Sequence, residues 1–401
     1  MPSQAGGVLS GIRIVELAGV GPVPFAAMLL ADMGADIVTV DRLHPSGLGV
    51  KKEPRFDPTT RSRPSIAVDL KSSQGQSVVL RLVEQADALL EGFRPGVMER
   101  LGLGPDACAQ RNPRLVFGRA TGWGQDGPLA NSVGHDLNFL AITGALSMIG
   151  PRDGLPAIPL NLLGDYAGGG VYLALGVLAA LLEAKRSGQG QVVDAAMVDG
   201  IESMMTHYFA YVASGRWRLE RESNFFDGGA PWYAIYETSD AKHVSVAPVE
   251  RKFYDQLLGG MGLDPSTIPD QLDRSTWPDL RRRFAEIFRG RTRDEWCRIM
   301  QGRDACFAPV LDLSEAPHHP HLAARHGFQE VDGVLQPVPA PRFSRTPSAV
   351  RRSPPVPGAD TQVALRAWDS TTTSSTHCGK PTSSIERKPP ARTRQNDQRM
   401  C

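Results

Sequence analysis

The chain has 401 residues, enough for two domains or for one large domain with an excursion. Hydrophobic residues make up 41 %, ordinary for a soluble globular protein, and 44 Lys and Arg against 43 Asp and Glu leave a net charge of +1. That balance removes a broad electrostatic case for nucleic acid or a membrane surface and leaves only a local basic site for an anionic ligand. The cysteines are Cys108, Cys297, Cys306, Cys378 and Cys401. They form no CxxC and no metal-ligand spacing, and an odd number argues against a disulfide framework, so they read as reduced thiols of a cytoplasmic chain. The N-terminal stretch lacks the charged start and apolar core of a signal peptide. The longest apolar run, Val171 to Leu182, falls short of the roughly 20 residues that span a bilayer and reads as a buried helix. The final Arg-Met-Cys is not a peroxisomal address.

In chain order, IRIVEL at 12–17 reads as a buried strand. Pro22 and Pro24 open a helix that Gly34 closes, and IVTVDR at 37–42 is a second strand. SIAVDL at 65–70 is a third, an amphipathic helix follows over 72–87, and ALLEGFR at 88–94 is a fourth. Pro95 starts a short helix, and RLVFGRAT at 114–121 is a fifth strand. Alternation of this kind predicts an α/β fold: one Rossmann-like parallel sheet with helices on both faces and ligands beyond the carboxyl ends of the strands. Arg42, Lys71, Arg94 and Thr121 fall at those ends. The first loop, AGVGPVP, is not GxGxxG, so a dinucleotide site has little support. Residues 161–214 are helical in pattern, broken by a sixth strand within 187–197, and 216–224 is a polar linker. Antiparallel strands are predicted within 227–250, helices over 251–263 and 277–301, and loops over 307–347. The domain boundaries drawn from this pattern are a large domain at 1–200, a helical linker at 201–226, a small α+β domain at 227–310, a return segment at 311–367 and a tail at 368–401. The tail is rich in Ser, Thr, Pro and Arg and too poor in apolar residues to order itself.

The chemistry concentrates in residues 133–170. His135 and Asp136 are adjacent there, and Asn161 and Asp165 follow after a Pro/Gly-rich loop, ahead of Gly168-Gly169-Gly170. Apolar residues recur around them at helical spacing, so two short helices bring an imidazole and a carboxylate to one dry place. Such a pair takes a proton from one face of a carbon and returns one to the other. An N-cap Asp beside a core His fits the same spacing. Asn161 and Asp165 share a helix face, so Asn161 either orients the carboxylate or caps the helix. The cluster His318-His319-Pro320-His321 lacks ligand spacing for zinc and reads as a surface loop, so no metal is assigned.

Nine segments taken together, in order and spacing, resemble the family III CoA-transferases, and within that superfamily the α-methylacyl-CoA racemases. They are LSGIRIVELAGVGPVPFAAMLLADMGADIVTVDR, VDLK, EGFRPGVMERLGLGP, RATGWGQDGP, GHDLNFLAITG, PLNLLGDYAGGG, GQVVDAAMVDG, DGGAPWY and DACFAPVL, between about Leu9 and Arg345. The resemblance implies an interlocked homodimer with its active site between the large domain of one subunit and the small domain of the other. It implies CoA contacts at Arg42, at Val68, Asp69, Leu70 and Lys71, at Gly92, Phe93 and Arg94, at Arg100, and along Gly134, Asp136, Leu137, Asn138 and Phe139. Arg and Lys there would make charge-assisted bonds to the CoA phosphates. The proton-transfer pair maps to His135 and Asp165, and Glu250 to the carboxylate that holds the imidazole. The implied reaction is a two-base 1,1-proton transfer at C2 of a 2-methylacyl-CoA. CoA is part of the substrate, so no separate cofactor is needed. Backbone N–H groups near Asp165 are the expected donors to the enolate oxygen.

Asp165 also matches the nucleophile of the superfamily's CoA-transferases, so a transferase working through an aspartyl thioester is the first alternative. A non-catalytic acyl-CoA-binding protein is the second. His135, with Glu250, favours the racemase, because a transferase needs no second proton carrier at that position. Three departures stand out. Val23 replaces a small residue and is expected to narrow the acyl or pantetheine path, Pro64 replaces a basic one, and Arg251 replaces a proline and is expected to compete with His135 for Glu250. Met204-Met205 and Phe225-Phe226 fit either an acyl-chain surface or plain core packing.

Overall fold

A computed structural model describes residues 6–44, 47, 49–50 and 52–369. β1 (Arg13–Leu17), α1 (Pro22–Asp32), β2 (Asp36–Asp41), β3 (Ser65–Ala67), α2 (Ser73–Val83) and β4 (Ala88–Glu91) form the first half of the large domain. α3 (Val97–Arg100), α4 (Pro105–Arg111), β5 (Val116–Thr121), α5 (Asp136–Ile142), a π-helix (Leu162–Val171), α6 (Tyr172–Ser187), β6 (Val192–Ala196) and α7 (Met197–Ala213) complete it. The six strands pair in the order β3-β2-β1-β4-β5-β6, all parallel. The order reverses between β1 and β4, which opens a crevice beyond the carboxyl ends of those two strands.

The strands are buried on both faces. Ile14, Ala88, Leu90 and Val116 pack on α1 and α6, and Val15, Val38, Leu89 and Phe117 pack on α2 and its neighbours. A polar cluster lies inside this sheet. Arg63, with no exposed surface, donates to both oxygens of Glu16 at 2.6 and 3.1 Å and to the Pro24 carbonyl at 3.3 Å, and Thr39 also donates to Glu16 at 2.6 Å. The cluster ties β1, β2, α1 and the segment before β3 beneath the crevice.

The π-helix and α6 are continuous from Leu162 to Ser187, 26 residues, long and apolar enough by length and composition to cross a membrane. The apolar run read from sequence was shorter because it stopped at the glycines and Asp165. Half of the helix's apolar stretch is buried inside the domain, where Leu173, Val177 and Leu181 join the core against the sheet and α1. Gly200 of α7 crosses directly over the Gly168 carbonyl, and a Cβ at Gly200 would overlap it. The two helices therefore pack backbone to backbone.

In the small domain β7 (Ala234–Glu237), β8 (His243–Val246), α8 (Arg251–Gly260), α9 (Trp277–Arg289), α10 (Arg293–Met300) and β9 (Phe307–Val310) surround a separate core that includes Trp232, Tyr254, Phe284 and Phe288. The antiparallel sheet runs β7-β8-β9. α9 and α10 are separate because Thr292 caps α10 through a reciprocal bond with Glu295. α11 (Pro320–Ala324), the hairpin β10 (Phe328–Val331) and β11 (Val334–Pro337), and α12 (Thr361–Asp369) follow.

Several segments differ from the sequence reading. Residues 307–347, expected as loops, hold three strands, of which β9 completes the small sheet. The linker drawn from 201 begins inside α7, which runs unbroken to Ala213. The "polar linker" at 216–224 is pinned rather than solvated. Trp217 is buried, and fully buried Asn224 bonds Arg218, Glu220 and Asp227. The tail drawn from 368 begins inside α12, where Trp368 is 2 % exposed and Arg13 lies 3.9 Å over its ring. Residues 370–401 lie outside the described residues.

Candidate active site

Three elements meet beyond the carboxyl end of β1. The loop after β1 turns at Gly21, whose φ of 75° favours glycine, and a Cβ there would lie 3.4 Å from the Asp165 carboxyl. Asp165 sits in the first turn of the π-helix. π-turns widen the backbone spiral and recur at functional sites. α5 starts at Asp136, with His135 as its N-cap residue. The His135 backbone N–H donates to Asn138 Oδ1 at 3.1 Å, which sets the entry of the chain into the helix. His135 is exposed, whereas Asp136 is only 6 % exposed.

The carboxyl of Asp165 is half-buried, and burial is the largest influence pushing its pKa above the ordinary carboxylate value. Asn161 Nδ2 donates to Asp165 Oδ2 at 3.1 Å and favours the ionised form. Asp136 opposes ionisation, and His135 is close enough to favour it electrostatically. The structure thus joins Asn161 to Asp165 and places His135 near enough to act on the carboxyl's charge. Asn161 acts on the carboxylate with its side chain and does not cap the helix.

Asp136 turns inward. Its Oδ2 accepts the backbone N–H of Gly164 at 2.8 Å and of Asp165 at 2.7 Å. Those amides were the expected oxyanion donors, and they are already taken. Gly164 is required by the contact, since a Cβ there would lie 2.5 Å from Asp136 Oδ2. Phe139 also points inward. Its ring fills the space over Gly122 and Gly134 and meets Trp123 edge-on at 4.6 Å. Leu137 and Asn138 remain exposed.

The basic residues lie along the same rim. The Arg42 guanidinium, after β2, stands 5.7 Å from the Phe93 ring, after β4. Gly92 is exposed above Val23, and Arg94 and Arg100 are exposed. The 92–94 turn is held from below. Buried Glu91 accepts the Phe93 N–H at 2.6 Å and pairs with Arg119 at 2.8 Å. Asp69 and Lys71 are exposed and Leu70 is half-buried, with the Lys71 N–H on Asp69 Oδ1 at 3.0 Å. Val68 is instead part of the core.

Glu250 is not part of this cluster within one chain. It is the exposed N-cap residue of α8, and among the described residues its carboxylate makes no hydrogen bond or ion pair to His135. Within one chain Arg251 pairs with Asp255 at 2.8 Å and not with Glu250. Val23, expected to narrow the ligand path, has no exposed surface and packs in the core beneath Gly92.

A largely apolar cleft of about 370 Å³ is walled by Leu140, Met148, Leu163, Met204, Tyr208 and Phe226, among others. Both Met204 and Met205 reach it, whereas Phe225 stacks on Trp232 in the small-domain core. The cleft is assembled from α5, residues 145–150, the π-helix, α7 and residues 217–227, so it had no single sequence signature. Gly21 was also missed. Its only signal was the glycine-rich loop directly after the first strand. Among the described residues no group of three or more His, Cys, Asp or Glu side chains is placed to hold a metal ion.

A parallel sheet with this crevice, a basic rim and an acid at the helix start suits an anionic ligand, and comparison with known proteins gives the class. Residues 9–361 match the model of CoA-transferase family III, and the chain belongs to that family. Within it, the chain is 43 % identical to the mouse (Mus musculus) alpha-methylacyl-CoA racemase over 364 residues, covering 90 % of this chain and 93 % of that protein. It is 42 % identical to the human (Homo sapiens) alpha-methylacyl-CoA racemase, covering 85 % of this chain and 87 % of that protein. Among solved structures, Rv3272 from Mycobacterium tuberculosis superposes with a TM-score of 0.74 at 27 % identity, covering 90 % of this chain and 99 % of that one.

Proposed function

We infer that this chain is an isomerase that epimerises C2 of 2-methylacyl-CoA thioesters. The observation that carries the reading is a half-buried, Asn161-bonded Asp165 at the sheet's switch point, with His135 near enough to act on its charge. One group removes the C2 proton, and the C–H electron pair moves into the thioester carbonyl as an enolate. The conjugate acid of the other group returns a proton to the opposite face. With the Gly164 and Asp165 amides occupied, the donors left for the enolate oxygen are the first-turn amides of α5, at Asp136 and Leu137, which have no intrahelical partner.

The basic rim at Arg42, Lys71, Arg94 and Arg100 suits the phosphates of CoA, and the apolar cleft suits the acyl chain. Glu250 fits its assigned role only if a second copy of the chain supplies it. Exposed apolar residues are compatible with such a homodimer: Leu175 is 59 % exposed, Leu182 71 % and Phe209 62 %.

Incubation of one epimer of a 2-methylacyl-CoA in D₂O tests the reading. Epimerisation with deuterium at C2 and no acceptor acid is the expected result. Untouched C2 with CoA moved to an added carboxylate would establish the transferase instead. His135→Ala and Asp165→Ala should each lower epimerisation by at least about 10²-fold, the contribution of one positioned base.

A further inference from the structure

We propose that Asp136 is a positioning residue that clamps the two bases at a set separation, its backbone carrying His135 and its carboxylate holding the backbone of Asp165. This rests on the two-base reading above. The chain path makes the clamp short. His135 and Asp136 are joined by one peptide bond, and Asp136 Oδ2 takes the Gly164 and Asp165 N–H groups at 2.8 and 2.7 Å. Two charge-assisted bonds from consecutive amides fix the direction of the π-helix as well as its distance. The carboxylate is buried, and Gly164 keeps the approach open. Oδ1 is buried without a hydrogen-bond partner, so the side chain is held there by Oδ2 alone.

A reaction that runs in both directions also needs one base protonated while the other is not. The charged groups acting on Asp165 are Asp136, which disfavours its ionisation, and His135, which favours it; Asn161 is its neutral partner. Asp136 therefore strengthens Asp165 as a base while holding it in place.

The test compares Asp136→Asn with Asp136→Ala in the full chain, using two readouts. The first is backbone hydrogen exchange of residues 161–170. The Ala variant should lose protection at Gly164 and Asp165, while the Asn variant, which keeps an acceptor oxygen, should retain it. The second is epimerisation with C2 deuterium uptake across pH. The Ala variant should lose about 10²-fold in kcat with little change in KM, the cost of misplacing a base by about 1 Å. The Asn variant should recover much of kcat and move the acidic limb of the profile to lower pH. Unchanged exchange in the Ala variant would overturn the clamp. An unmoved pH profile and full kcat in the Asn variant would overturn the electrostatic part, and this arm holds even if the Ala variant does not fold. Wild-type protein that leaves C2 untouched would instead overturn the two-base reading, with hydrogen exchange still deciding the clamp.

Discussion

Gly164→Ala is the smallest change that tests how the π-helix is seated. Gly164 has ordinary helical φ, so alanine meets no backbone strain there, and the effect must come from the added methyl group. That methyl would lie 2.5 Å from Asp136 Oδ2, 2.8 Å from its Cγ and 3.3 Å from its Cα. The carboxylate is buried. Either the methyl is forced in, at the roughly 1–3 kcal/mol typical of an overpacked core, or Asp136 withdraws and strains two bonds worth about 1.5–3 kcal/mol each. The molecule takes the cheaper route, so we expect a destabilisation of about 1–3 kcal/mol. Denaturant unfolding read against Gly19→Ala measures it. A Cβ at Gly19 meets only the Leu17 carbonyl, at 3.9 Å, and should be neutral. The same variant should lose epimerisation, because Asp165 moves with Gly164. Stability within about 0.5 kcal/mol of wild type, the range of an ordinary surface change, together with intact activity, would refute the reasoning.

Asp165→Asn should stabilise the protein at neutral pH while abolishing epimerisation. Burial, aided by Asp136, holds the native pKa of Asp165 above its unfolded value, so the native state binds the proton more tightly. The penalty for ionising Asp165 is absent below the ordinary carboxylate pKa and complete above the raised native one. Wild type therefore loses stability as pH rises through that window, and the variant should lack this slope in pH-dependent unfolding. Arg63→Ala should cost about 3–5 kcal/mol by leaving buried Glu16 unpaired, and the Arg63→Met, Glu16→Leu double variant should recover part of it; equal losses in denaturant unfolding would contradict this. Trp368→Ala should cost about 3–5 kcal/mol by emptying its buried site beside Arg13; a thermal midpoint like that of wild type would show that α12 does not matter to the large domain.

The large domain was legible because its signals are local. Short apolar runs such as IRIVEL and ALLE, separated by proline-opened and glycine-closed helices, specify parallel strands without reference to anything distant. The third small-domain strand was not, because FAPV carries a proline and pairs with a partner more than 60 residues earlier. The same holds for α12, where a single Trp368 decides between helix and tail, and its burial comes from contacts made across the whole chain.

Residue types at spacing determined, from sequence alone, the family, the sheet and the identity of the chemical groups His135, Asn161 and Asp165. Tertiary structure decided their roles. Asp136 and Phe139 belong to the same short motif as His135 yet turn inward, one to hold the π-helix and the other to pack on glycines. Val23 lies under the rim and not on the ligand path, and Arg251 answers Asp255 and not Glu250. The physical reason is direction. A sequence lists which groups are near one another along the chain, but which way each side chain points depends on the sheet's crossover, the widened π-turn and the close packing of α7 against Gly168.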